Sequence, residues 1–226
     1  MPDTDIGLGK TGRRGFALDE ITIVPSRRTR DVDDVDLSWE IDAYTFDLPL
    51  MASPADSVVS PSTAKAIAGK GGVAVLDLEG LWSRYEDPQP LLDEIASLPD
   101  DDRVTHRLRE IYEEPIKPGL MVERIHDLHA AEITTAGSLT PARTAQYAAD
   151  LAKAELDLFV IRGTVVSAEH VSVTSEPLNL KRFVRDLGIP VVVGGCASYH
   201  HALHLMRTGA AGVLVGLGSS FGDQTS

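Results

Sequence analysis

A chain of 226 residues, 43% hydrophobic and 24% charged, is long and apolar enough to build one substantial core, so intrinsic disorder is not the expectation. A formal charge of −13 with no basic stripe excludes a general nucleic-acid or anionic-membrane binder, and no apolar run reaches the roughly 18 residues of a membrane-spanning helix. The single cysteine, Cys196, excludes a disulfide framework and a cysteine-based zinc cluster and fits a reducing compartment, and residues 1–10 lack the apolar stretch of a signal peptide, so the expected location is cytoplasmic.

The reading divides the chain into a lead-in, 1–48, and a barrel domain, 49–226. The lead-in is charged, with two short apolar patches at 16–24 and 39–46. Beyond it, six short apolar runs bounded by Gly, Pro or Asp are predicted as strands: 49–54, 72–77, 133–138, 158–163, 190–195 and 212–217. The later runs are continuous and β-branched, as strands buried on both faces of a parallel sheet should be. Helices are predicted over 62–70, 91–98 with 103–113, 120–130, 141–154, 179–187 and 199–208. Ser60-Pro61 and Thr140-Pro141 are start signals, and Gly69, Gly188 and Gly209 are stop signals. The one long connection, 78–119, is rich in proline and charge and is expected to hold extra helix. Strands alternating with helices predict an α/β fold of repeated βα units.

Four stretches, taken together, resemble the IMP dehydrogenase / GMP reductase family and occur in the family's order: FALDEITIVPSRR (16–28), LPLMASPADSVVSP (48–61), LDLFVIRGTVVSAEH (156–170) and the run from IPVVVGGCAS to SSFGDQTS (189–226). DLEGLWSRYEDP (77–88) is similar to the IMP-dehydrogenase-related branch that lacks the CBS domain pair. The resemblance implies a TIM-type (β/α)8 barrel, here truncated to about six βα units. It also implies a purine-nucleotide oxidoreductase that moves a hydride between the purine C2 and a nicotinamide through a cysteine thiolate. The expected activity is NAD-dependent oxidation of IMP to XMP in GMP biosynthesis. The alternatives are NADPH-dependent reduction of GMP to IMP and a non-catalytic nucleotide-binding relative. The expected partners are a purine nucleotide (IMP, XMP or GMP) and NAD or NADP, with K+ as a further ligand and a homotetramer as the complete assembly.

Carried over residue by residue, the resemblance implies that Ser53 and Asp56 line the nucleotide site with Ser220, and that Arg162, Gly195, Gly216, Leu217 and Gly218 face the cofactor. Backbone groups at Gly218 and Ser220 are the candidates for a monovalent cation. Several positions depart from the family. Asp223 stands where the catalytic cysteine belongs, with Thr225 nearby, so no intact catalytic nucleophile is expected and the 226-residue chain is expected to be inactive. Phe221 replaces the loop's phosphate-binding Ser, Arg162 replaces the nicotinamide-contacting Asp, and Gly195 replaces the neighbouring Asn. For Arg162 two readings stay open, bidentate phosphate pairing and a structural ion pair. Cys196 aligns with a family Val and reads as a small buried hydrophobe. His200 and His204 have the i, i+4 spacing of metal ligands, but without a third ligand they read as surface or interhelix histidines.

Overall fold

The computed structural model describes residues 3–12, 16, 20–24, 27–99, 102–163, 166–168 and 178–216. The chain divides into two compact units, Met1–Asp36 and Leu37–Ser226. The first contains an antiparallel hairpin, β1 (Thr4–Gly7) with β2 (Lys10–Gly12), and a 3-10 turn at Val32–Asp34. Neither apolar patch of the lead-in signals this hairpin; its register comes from the Leu8-Gly9 turn, not from a buried face.

The second unit opens with another hairpin, β3 (Trp39–Ile41) and β4 (Tyr44–Phe46). Six parallel strands follow: β5 (Met51–Ala52), β6 (Val73–Asp77), β7 (Ala136–Leu139), β8 (Leu158–Arg162), β9 (Val191–Cys196) and β10 (Gly212–Val215). They hydrogen-bond side by side in chain order. Helices α1 (Pro61–Ala68), α2 (Gln89–Ser97), α3 (Asp102–Tyr112), α4 (Pro118–His129), α5 (Pro141–Leu151), α6 (Leu180–Leu187) and α7 (Tyr199–Met206) fill the crossovers. Six parallel neighbours in chain order joined through helices are the arrangement of a truncated TIM-type barrel, as the sequence predicts. Among the described residues no helix is long and apolar enough to cross a membrane.

Successive side chains on a strand point to opposite faces, and here both faces are apolar. Outward, Leu76, Leu139, Phe159, Ile161, Val191 and Val193 pack with the helices in one large core. Inward, Val73, Val75, Ala136, Leu158, Val160 and Val192 form a second core with Ile41 and Phe46 of the β3–β4 hairpin. The hairpin therefore seals the barrel interior from below. Its Trp39 and Phe46 rings meet at 5.1 Å, Trp39 Nε1 donates to the Leu48 carbonyl at 2.7 Å, and Tyr44 Oη donates to Asp157 Oδ1 at 3.0 Å.

Element bounds differ from the sequence reading where side chains tie the backbone. The strand predicted from 133 begins at Ala136, because Glu132 takes a left-handed turn (φ 57) and the Asp157 carboxylate holds Thr135 through its N–H at 2.7 Å and hydroxyl at 2.9 Å. Helix α1 starts as predicted, with Ser60 and Thr63 forming a reciprocal cap. Gly188 ends α6 in the left-handed conformation at φ 74, where a β-carbon is disfavoured. Gly69, by contrast, ends α1 with an ordinary helical backbone.

The 78–119 connection does carry extra helix, α2 and α3, and it is laced back to its own start. Arg84 is buried and donates through Nε to the Glu79 carbonyl at 2.8 Å and through Nη1 to the carbonyls of Tyr112, at 2.9 Å, and Glu114. Tyr85 Oη donates to the Ile111 carbonyl at 2.8 Å.

Because Phe46 is the largest buried side chain of the inner core, Phe46→Ala should cost about 3–5 kcal/mol of stability. Urea unfolding should show the midpoint falling by that amount, while a surface control such as Lys153→Ala should stay within about 0.5 kcal/mol of the parent.

Candidate functional site

Parallel barrel strands bring all their C-terminal ends to one face, where barrel enzymes place their chemistry. Here that face carries Ser53 just after β5, Asp77 at the end of β6, Ser138 near the end of β7, Arg162 at the end of β8, Gly195 near the end of β9 and Gly216 just after β10. Strand alternation decides which of these point inward. Asp77 continues the inward series of Val73 and Val75, Ser138 that of Ala136, and Arg162 that of Leu158 and Val160.

The central contact is an ion pair reaching across β7: Arg162 Nη2 donates to Asp77 Oδ2 at 2.7 Å. Asp77 Oδ1 accepts the Glu79 N–H at 2.9 Å, while Glu79 Oε1 accepts the Thr140 N–H at 2.5 Å. The turn after β6 is thus fixed to the ends of two strands. Burial pushes the Asp77 carboxyl up to about 6, against the opposing pull of Arg162 and the Glu79 N–H.

Asp56 is held beneath the same turn. Its Oδ2 accepts from the Leu81 N–H at 2.8 Å and from Tyr112 Oη at 2.6 Å, whereas Oδ1 is buried without a partner among the described residues. Gly80 lies so close that a β-carbon there would stand 2.4 Å from Asp56 Oδ1, so only glycine fits. Burial raises the Asp56 carboxyl despite these donors. Burial also raises the Tyr112 phenol, with the neighbouring Asp56 charge adding to the shift. Ser138 is fully buried and its hydroxyl, too, lacks a partner among the described residues.

A cavity of about 510 Å3 lies at the other end of the strands, lined by Val184, Gly188, Pro190, Thr208 and Gly209. Its residues precede β9 and β10, on the face where barrels carry stability and not chemistry. The C-terminal face, with its convergent polar side chains, is the candidate site.

A family model described as the IMP dehydrogenase / GMP reductase domain matches residues 15–221. The chain belongs to the IMP dehydrogenase / GMP reductase family. Relatives named as uncharacterized oxidoreductases are 44% identical in Mycobacterium tuberculosis and 42% in Mycolicibacterium smegmatis, each match covering 98% of this chain and 60% of the relative. A crystal structure of an IMP dehydrogenase/GMP reductase-like protein from Corynebacterium glutamicum superposes with a TM-score of 0.88 at 40% identity, covering 96% of this chain and 58% of that one. The chain therefore spans about 60% of the length of the curated relatives it matches.

Within this family frame, several expected site residues share the C-terminal face. Ser53 is exposed on it, and Gly195 and Gly216 lie on it with their backbone groups already engaged. Gly195 N–H donates to the Gly163 carbonyl at 2.8 Å and Gly195 C=O accepts from the Val166 N–H at 3.3 Å, while Gly216 N–H donates to the Cys196 carbonyl at 2.7 Å. Leu217, Gly218, Ser220, Asp223 and Thr225 lie outside the described residues. Arg162, for which phosphate pairing and a structural ion pair are both open, is paired with Asp77. Cys196 is buried in the outer core, a packing residue. His200 and His204 are exposed on α7, and no metal-ligating cluster occurs among the described residues. It is their neighbour His201 that makes a contact, its Nε2 lying 2.5 Å from the Val166 carbonyl.

Sequence reasoning passed over Asp77, Ser138 and Tyr112 as site residues. Alternation could have found the first two, because Asp77 closes GVAVLD and Ser138 closes ITTAGS on the inward phase. Tyr112 carried no local signal, since it reaches Asp56 across 56 residues of chain.

A carboxyl raised on folding is protonated more readily in the folded than in the unfolded chain. Its contribution is fully present below the ordinary carboxylate value and is lost as pH rises through about 6. Between pH 4 and pH 7 the wild type should therefore lose on the order of 3 kcal/mol from this group. Asp77→Asn, which keeps an acceptor for Arg162, lacks the effect, so its stability relative to wild type should rise by about that much over the same range. Parallel urea titrations at the two pH values would reveal it, and equal slopes in both proteins would count against the assignment.

Proposed function

We propose that this chain carries the nucleotide-facing part of a purine-nucleotide oxidoreductase of the IMP dehydrogenase type, acting on IMP with NAD to give XMP in GMP biosynthesis. The observation that carries the reading is the family match over residues 15–221, which spans every strand of the sheet and its C-terminal face. In this reading a purine nucleotide lies above the β5 turn at Ser53 and Asp56, with Ser220 as a further nucleotide contact. The nicotinamide dinucleotide, NAD or NADP, approaches Arg162, Gly195 and the loop from Gly216 through Leu217 to Gly218, and K+ is held by backbone oxygens at Gly218 and Ser220. GMP reduction with NADPH uses the same face in the opposite direction.

The residue at the thiolate position favours a second reading. Asp223 cannot form the covalent bond to C2 that the family reaction uses, because a carboxylate is a far weaker nucleophile than a thiolate and repels the electron-rich ring. A nucleotide-binding relative without turnover fits that substitution.

Residues 1–226 should accordingly show background rates with IMP and NAD and with GMP and NADPH, followed at the absorbance of the reduced nicotinamide. Loss of the nucleophile alone removes several orders of magnitude in rate. Turnover that disappears in Cys196→Ala would instead promote the lone cysteine to nucleophile. Calorimetric titration with IMP, GMP, NAD and NADPH tests the binding reading directly, and no heat with any of the four would remove it. In light scattering, the full-length protein is expected to have the mass of four chains; a monomer mass would exclude the side-by-side barrel assembly.

A further inference from the structure

Among the described residues from 20 to 37, no apolar side chain is buried. Ile23 is 95% exposed, Val24 77% and Val32 86%, and Ile21, Val35 and Leu37 are exposed as well. Aliphatic side chains gathered so densely on a short stretch mark a surface that another surface covers. The charged side chains between them are exposed too: Arg27, Arg28 and Arg30, then Asp31, Asp33 and Asp34. Among the described residues none of these six makes an ion pair, although three cations directly precede three anions.

The order of these residues is self-complementary. Counted outward from the junction of Arg30 and Asp31, the sequence VPSRRTRDVDDVDL (24–37) sets Arg30 against Asp31, Arg28 against Asp33, Arg27 against Asp34 and Val24 against Leu37. One chain does not make these pairs with itself, because the backbone enters a 3-10 turn at Val32–Asp34 in place of a hairpin. A second copy crossing in the opposite direction about a two-fold axis makes each of them twice, since in such a contact residue i meeting j implies j meeting i. An anionic partner would be repelled by the three aspartates and a cationic one by the three arginines. A surface with both signs in the reverse order satisfies both, and a second copy of this chain carries one.

We propose that the lead-in is a pairing arm for a second copy of the chain: Arg27, Arg28 and Arg30 of each copy meet the partner's Asp34, the partner's Asp33 and the partner's Asp31, while Val24 and its aliphatic neighbours are covered in the same contact. The aliphatic side chains supply the attraction, because burying apolar area stabilises whereas an exposed ion pair contributes little. The charges set direction and register. A two-fold contact of this kind is separate from a fourfold ring of barrels, since it joins one chain or one ring to another. It is also independent of what the C-terminal face of the barrel binds.

The test is the mass of the 226-residue chain in sedimentation equilibrium, compared with three variants: R27E/R28E/R30E, D31R/D33R/D34R and the two sets combined. All six positions are exposed, so the far-UV circular dichroism of each variant should match the parent's. The mass should halve in either single-sign variant, whose copies then meet like charge against like. It should return to the parent's in the combined variant, whose reversed order is again self-complementary, and in an equal mixture of the two single-sign variants. Val32→Asp should weaken association roughly tenfold or more, because it puts a charge into the covered apolar surface. The proposal is overturned if the parent sediments as one chain at its highest soluble concentration, if either single-sign variant keeps the parent's mass, or if the combined variant stays halved. An assembly whose mass none of the variants moves removes the pairing arm alone and leaves the fourfold reading standing.

Discussion

A strand covered on both faces has no neutral side on which to put a charge, and the rest of this molecule follows from that constraint. Helices occupy the outside of the six-stranded sheet, and aliphatic side chains with the Ile41 and Phe46 plug occupy the inside. A charged residue on the inward phase occurs here only at the last position of a strand, where it gains a partner from another strand. Asp77 and Arg162 satisfy the condition by pairing with each other across β7. The pair is not a stability device. Burial holds the Asp77 carboxyl well above its ordinary range even with the guanidinium beside it, so the desolvation of Asp77 outweighs the attraction.

The connection after β6 completes the face. Leu81 and Tyr112 both donate to Asp56, and Arg84 gathers three carbonyls from the two ends of the excursion. The first barrel turn and the 78–117 segment therefore behave as one rigid rim. A residue that resemblance assigns to nucleotide contact, Asp56, is here also the anchor of that rim.

Much of the fold was legible because its signals are local. Continuous β-branched runs mark β8, β9 and β10, and Ser60-Pro61 and Gly188 mark helix ends through backbone chemistry that needs no tertiary context. The β3–β4 plug was visible as the apolar patch 39–46, but its role was not, because what it covers is built from residues 73 to 192. The site was legible in outline through strand ends. Its contacts were not: Arg162 to Asp77 spans 85 residues and Tyr112 to Asp56 spans 56, separations over which a linear pattern carries no pairing information. The true start of β7 at Ala136 was hidden for the same reason, since the Asp157 clamp on Thr135 lies 22 residues away.

The plug also sets an order of events during synthesis. Residues 39–46 leave the ribosome before any of the strands they cover, and the hydroxyl of Tyr44 waits for Asp157, 113 residues later. Until β8 has been made, Ile41 and Phe46 have only part of their apolar surroundings, so the growing chain carries an uncovered hydrophobic hairpin for most of its elongation. Contacts of such long range place this fold among the slow ones. The interval in which the hairpin is bare is when the nascent chain is most exposed to wrong partners, and when a chaperone that recognises short apolar segments has most to protect.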